Sequence, residues 1–239
     1  MSSLSDRMKT YEDASQYKFT PLMPVVIRIK CANIDSVSRS FRQPFDNVFH
    51  KTMRQTARAL GEAIPNCFFA YTYSDEVNLL VTDYNTNNKA CYNNNMQKIV
   101  SMSSSIATVM FNKFFAQNVS FTDKTRWRYT GHLNEAIFES KAFIIPKEEL
   151  VNYFVWRQYR GFRHTIDVVA GSEFSSEELK GKTLNQKQDM LLKQKEIDIN
   201  RVKPDKKHGF CVFLTTNGWV IDLDIPLFSK NKEYIEKFL

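Results

Sequence analysis

The chain has 239 residues, 43% of them hydrophobic and 25% charged, which is enough apolar content for a buried core and excludes collagen-like, disordered and disulfide-scaffold classes. Its 33 Lys+Arg against 26 Asp+Glu leave a net charge of +7, which fits polyanionic partners and equally fits a plain solvated surface until the charges are located. Cys31, Cys67, Cys91 and Cys211 include no C-x-x-C pair, so no zinc cage or secreted disulfide framework is indicated, and a reducing, cytoplasmic home is expected. Glu12 and Asp13 precede any apolar run and no 18 apolar residues are contiguous, so neither a signal peptide nor a membrane span is expected.

In chain order the pattern is α+β without an internal repeat. Val25-Val26-Ile27-Arg28-Ile29, entered through Pro24, is a short β-branched run that reads as a central strand. Pro44 opens a helical stretch whose Val48, Phe49, Met53, Ala57, Leu60 and Ile64 share one stripe. Cys67 to Tyr73 and Val77 to Thr82 are strand-like, with only Ser74, Asp75 and Glu76 between them, so they read as a tight hairpin with an acidic tip. The Asn-rich stretch from Asp83 to Asn95 reads as a loop. A long helix follows from Met96 to Ala116, with Lys98 and Lys113 away from its apolar face.

Ala142 to Ile145 is the next strand. After Pro146 a helix is expected from about Glu148 towards Val169. Ser175 with Glu178 matches a capping box, Leu184 to Lys195 a charged amphipathic helix, and Asn217-Gly218 the turn of a C-terminal hairpin. Residues 1–145 thus read as a first unit, with 146–239 a helical and hairpin extension packed on it in the same compact body.

Two constellations carry possible chemistry. Ser74-Asp75-Glu76 would hold carboxylate oxygens beside the end of the first strand, as Mg²⁺ requires, although acidic turn residues are also commonly just solvated. Trp156 to His164 interleaves Arg157, Arg160 and Arg163 with aromatic rings. Arg157, Arg160 and His164 lie three and four residues apart and share a helix face. Guanidinium forks bind phosphate and exposed aromatics stack bases, while a solvated face around a core Trp explains the same pattern. Lys124, Arg126 and Arg128 around Trp127 make a second basic and aromatic cluster, and Lys203, Lys206, Lys207 and His208 read as a solvated loop.

Taken together, Val26-Ile-Arg-Ile29, Pro44-Phe-Asp46, Tyr73-Ser-Asp-Glu76, Gln97 to Asn112, Asn152-Tyr-Phe-Val-Trp-Arg-Gln158 and Ile221 to Pro226 resemble the tRNA-His guanylyltransferase family, in its bacterial guanylyltransferase-like branch. The resemblance implies a polymerase-like palm, a mixed or antiparallel sheet with helices on one face. It further implies 3′-to-5′ nucleotide addition to tRNA 5′ ends, GTP or ATP and two Mg²⁺ as cofactors, and tetrameric assembly. By resemblance, Asp75 and Glu76 are the catalytic, metal-holding carboxylates. Ser74, Asp46, Cys31, Ala32 and Asn33 are the nucleotide-site positions, and Lys98, Arg157, Arg160 and Arg163 the RNA contacts.

The family's Arg-Ile-Asp-Gly-Arg is here Arg28-Ile29-Lys30-Cys31-Ala32, so an ammonium replaces the first metal carboxylate. Arg160 stands where the family has an acidic residue, and Asp35 where it has a histidine. At an effective dielectric of about 20, a like-charge contact at about 4 Å costs roughly 4 kcal/mol. The expectation is therefore a tRNA- or nucleotide-binding protein of this family with impaired catalysis, in which Lys30 pairs with Asp75 or Glu76. An active nucleotidyltransferase and a non-catalytic interaction subunit or inhibitor are the alternatives.

Overall fold

The computed structural model describes residues 3–84, 89–120 and 126–239. In chain order the helices and strands are α1 (Leu4–Ala14), β1 (Val25–Cys31), α2 (Ile34–Val37), α3 (Asn47–Ala63), β2 (Cys67–Tyr73), β3 (Glu76–Val81), α4 (Met96–Ser120), α5 (Arg126–Tyr129), β4 (Phe138–Ile144), α6 (Leu150–Glu173), α7 (Ser176–Leu179), α8 (Leu184–Lys195), α9 (Pro204–Lys207), β5 (Phe210–Thr215), β6 (Gly218–Asp222) and α10 (Glu233–Glu236).

The strands form one six-stranded sheet in the order β4-β1-β3-β2-β5-β6, and every neighbouring pair is antiparallel. The C-terminal hairpin is therefore not an appendage. Phe210 to Phe213 pair with β2, so the last two strands extend the sheet that β1 to β4 begin.

Side-chain alternation assigns the two faces. Val25, Ile27, Ile29 and Cys31 point into a core with Met53, Ala57 and Leu60 of α3 and Ile99, Phe111 and Phe115 of α4. Each fully buried isoleucine there contributes about 1.5–3 kcal/mol. The opposite face carries Val26, Phe69, Tyr71 and Leu80, covered by Leu150, Tyr153 and Phe154 of α6. The expected helices on one face are thus α3 and α4, and α6 covers the second face. By length and composition α4 would suffice to cross a bilayer, but here it packs on α3, β1 and β4.

Helix α6 lies close to the sheet because residue 161 is glycine. A Cβ there would stand 2.9 Å from Cγ of Tyr73 and 3.0 Å from the Tyr71 hydroxyl. The far half of α6 makes a smaller core with Leu191 of α8 and Ile199. The expected capping box of Ser175 and Glu178 starts α7, and Thr183 with Gln186 starts α8 the same way. Helix α1, also begun by a capping box between Ser3 and Asp6, buries none of its residues. All four cysteines are buried thiols.

Candidate functional site

The site begins with a register. Tyr73 and Glu76 are direct partners across β2 and β3, so the turn consists of Ser74 and Asp75 alone. Ser74 adopts φ 49, the left-handed conformation that two-residue hairpins demand. Glu76 is consequently a strand residue, not part of the tip as its neighbours in sequence suggest. On β1, Arg28 stands opposite Asn78 and Lys30 opposite Glu76. Arg28, Lys30, Glu76 and Asn78 thus share the α6 face of the sheet.

Glu76 is only 2% exposed, and its two oxygens are fully engaged. Oε2 accepts from Nε of Arg28 at 2.7 Å. Oε1 accepts from Nδ2 of Asn78 at 2.9 Å and from the guanidinium of Arg157. Arg157 also donates to the Tyr73 hydroxyl, and its guanidinium lies 4.6 Å from the Trp156 ring centroid. The Tyr153 hydroxyl donates to Oδ1 of Asn78 at 2.6 Å, closing the network. Arg157 is therefore corrected from a surface phosphate contact to an internal ion-pair partner. A buried carboxylate left unpaired would be costly, and the side of α6 that meets the sheet supplies its counter-charge.

Asp75 is in the opposite condition. It is 6% exposed, and its Oδ2 is buried without a hydrogen-bond partner. Burial pushes its carboxyl up to about 6; the charge of Lys30 opposes the rise, as do its own amide and the Ser74 hydroxyl, while Glu76 adds to it.

Lys30 is half-buried. It forms no ion pair within 4.0 Å among the described residues, so the expected direct pairing with Asp75 or Glu76 gives way to the two arginines on Glu76. Its charge nevertheless acts on Asp75. It also acts on His164 across the cavity, an exposed residue whose imidazole is pulled below its ordinary value first by desolvation against the neighbouring protein atoms, with Asp167 opposing and Lys30 adding.

These groups line a cavity of about 470 Å³ between the hairpin, the segment 34–50 and α6. Asp35, Arg42, Asp46, His50, Arg160 and Lys206 complete its polar lining. Asp46 caps α3: Oδ1 accepts from the Phe49 amide at 2.9 Å, and Oδ2 accepts from the Arg42 amide at 2.9 Å and the Tyr129 hydroxyl at 2.7 Å. It thus shapes the wall through its own hydrogen bonds.

The remaining expected site residues are dispersed. The Cys31 thiol is buried and pushed up to about 11, first by burial. The Ala32 amide donates to the Ile137 carbonyl at 2.7 Å. The Asn33 side chain is engaged by Glu135 and Ile137. The Ala32 amide and the Asn33 side chain thus face the joint between β1 and the segment before β4, whereas the Cys31 amide donates to the Asp75 carbonyl at 3.2 Å and ties the end of β1 to the hairpin turn. Arg160 is on the cavity wall. Arg163 is exposed, 5.8 Å from the Tyr159 ring centroid. Lys98 is exposed on α4, beside Tyr92. In the second basic cluster Trp127 is 75% exposed, while Lys124 and the side chain of Arg126 lie outside the described residues.

Sequence reasoning assigned Arg28, Arg42 and His50 no place in the site, although all three line the cavity. The alternation Val26, Arg28, Lys30 was the available signal for Arg28. Lys206 is corrected from a solvated loop residue to a half-buried cavity residue, held by the short helix α9; no local pattern marks it.

An antiparallel sheet with α3 and α4 on one face, and an acidic hairpin opening into a cation-lined cavity, is consistent with the palm-like class of nucleotide-handling proteins. The family model for tRNAHis guanylyltransferase (Thg1) matches residues 5–146. A structure of a bacterial tRNA(His) guanylyltransferase (Thg1)-like protein in complex with ATP is 32% identical, covers 99% of both chains and has a TM-score of 0.89. One in complex with GTP is 30% identical over 99% of both, with a TM-score of 0.79. The Saccharomyces cerevisiae tRNA(His) guanylyltransferase shares the fold at 18% identity, covering 93% of this chain and 98% of its own, with a TM-score of 0.70. Comparison with curated protein sequences gives no match. The chain belongs to the tRNAHis guanylyltransferase family.

Proposed function

We propose that this chain binds GTP or ATP in the cavity and tRNA along the α6 surface, and that its metal-dependent nucleotide addition is impaired. Structures of its bacterial relatives hold ATP and GTP, which supports a triphosphate in the corresponding cavity. Arg160 on the wall and Arg163 with the half-exposed Trp156 and Tyr159 outside it suit phosphate and base contacts.

The observation that carries the impairment is the state of the carboxylates around Lys30. Two Mg²⁺ ions need a convergent set of hard oxygen donors, and the residues present do not fit one. Glu76 is held by Arg28 and Arg157, Asp46 caps α3, and Lys30 occupies the strand position facing Glu76. No cluster of three or more His, Cys, Asp or Glu able to hold a metal is present among the described residues.

The test is incubation with 5′-truncated tRNA, labelled GTP or ATP, and Mg²⁺, with no incorporation expected. Incorporation that vanishes in Asp75→Ala would establish instead an active nucleotidyltransferase. That second reading is favoured by the unpartnered Asp75 oxygen and by Asp35 on the same cavity. RNA affinity that falls steeply with salt supports phosphate contacts, whereas no RNA affinity would leave a protein-interaction subunit. A homo-oligomer, tetrameric by the resemblance, is part of the proposal. The exposed Leu4, Met8 and Tyr11 of α1 suit such an interface, and sedimentation tests it.

A further inference from the structure

We infer that Lys30 supplies, as a fixed ammonium, the positive charge that a metal ion would otherwise bring to the ligand phosphates, so that the cavity takes a triphosphate without a divalent cation. This inference rests on the triphosphate-binding reading above and concerns how that ligand is held.

The argument starts from an asymmetry among the ions of the site. Glu76, the residue opposite Lys30, is already bound by two guanidiniums, one of them nearly sealed from solvent. Lys30 is therefore not consumed in stabilising the sheet. Its other cross-strand neighbour, Glu139 on β4, is exposed and comes no closer than the 4.0 Å limit of an ion pair. What remains is a half-buried cation without a direct counter-ion, on the floor of a cavity whose walls carry Arg42, Arg160 and Lys206.

The second observation is independent of the first. Asp75 Oδ2 is buried and has no donor, although a buried carboxylate oxygen ordinarily finds one. A ligand that carries both anionic oxygens and hydroxyl groups meets both needs, with a phosphate oxygen on Lys30 and a ribose hydroxyl donating to Asp75. Nucleoside triphosphates are such ligands. A divalent cation seated at Asp75 would instead feel the Lys30 charge that already reaches that carboxylate.

Calorimetric titration of the full chain with GTP, in EDTA and in MgCl₂ at equal ionic strength, tests this. The expected affinities agree within about threefold, and Lys30→Gln weakens binding in EDTA by about tenfold or more, the usual loss for a hydrogen bond to a charged group. Lys30→Asp should lose binding in EDTA and regain it with Mg²⁺. Thermal unfolding of each variant without nucleotide, and Lys30→Met as a second neutral variant, separate lost binding from lost folding. Wild-type binding that disappears in EDTA, or is untouched in both neutral variants, overturns the inference alone. Absence of binding in both media overturns the triphosphate reading and this inference with it.

Discussion

Replacing Asp75 by Asn should stabilise the protein near neutral pH and have little effect in acid. The carboxyl titrates near 6 in the fold against an ordinary 3.8. Because the folded value is raised, the native state holds the proton more tightly than the unfolded chain does. The ionised group therefore costs stability above about pH 6, and that cost is relieved as the pH falls towards 4. At about 1.36 kcal/mol per pH unit, the difference amounts to about 3 kcal/mol. Asn keeps the shape and removes the charge, so Asp75→Asn is expected to gain about 1–3 kcal/mol at pH 7.5 and close to nothing at pH 4. Urea unfolding of both proteins in EDTA at the two pH values measures it, and other titrating groups, His50 included, cancel in the comparison. A stability difference that does not change with pH, or a variant less stable at pH 7.5, would refute the reasoning. The expected sign identifies Asp75 as a group kept at the expense of stability, as ligand-facing residues commonly are.

Arg157→Met should destabilise the protein by about 3 kcal/mol or more, because Glu76 keeps only one of its two guanidiniums; the double variant with Glu76→Gln should cost less than the sum of the singles in urea unfolding. Gly161→Ala should cost about 1–3 kcal/mol in the same assay, since the new methyl group meets the ring base of Tyr73, which cannot swing aside as a flexible chain end would. Burial, helped by the charges of Lys206 and Arg54, holds His50 down to about 3. Its folded value lies below the unfolded one, so its contribution is complete above about pH 6.5 and is lost as the pH falls towards 3. His50→Asn should flatten the acid limb of the stability profile by up to about 3 kcal/mol at pH 4.5.

Periodicity made the frame legible. The β1 run, the α3 stripe and the two hairpin strands lie where alternation and 3.6-residue spacing put them, because those patterns are imposed by burial on one face. The α4 helix runs to Ser120 instead of Ala116, because its last turn buries Val119 and Asn118 donates to Thr52 and Gln55 of α3. Helix spacing put Arg157, Arg160 and His164 on one stripe but could not say which edge of it meets a sheet: Arg160 and His164 line the cavity, whereas Arg157 is buried against β3. Arg157 turned inward because its carboxylate partner is supplied by β3, 81 positions away in sequence. Lys206 was read as a solvated loop residue for the same reason: the walls it joins come from the segment 34–50 and from α6, and only tertiary closure brings it to them. The acidic hairpin was legible as chemistry, yet its division of labour was not. Register alone decides that Glu76 points to the arginines while Asp75 stays at the turn.

That division explains how an acidic site can accept a lysine without losing its fold. In a sheet where both carboxylates depended on bound metal, Lys30 would be drawn into an ion pair to neutralise them. Here Glu76 already has Arg28 and Arg157, with Asn78 and Tyr153 fixing its position, so the sheet is electrostatically complete without any ion. The ammonium is released from structural duty. The surplus of +7 is thus spatially sorted: Arg157 is spent inside the fold, Arg28 lines the cavity but is engaged by Glu76, and Lys30, Arg42, Arg160 and Lys206 face the cavity without that carboxylate. A substitution that frees Glu76, such as Arg157→Met, should therefore draw Lys30 towards it and weaken triphosphate binding, although Arg157 itself does not line the cavity. Unchanged GTP affinity in a folded Arg157→Met protein would break this link between the buried ion pair and the free cation.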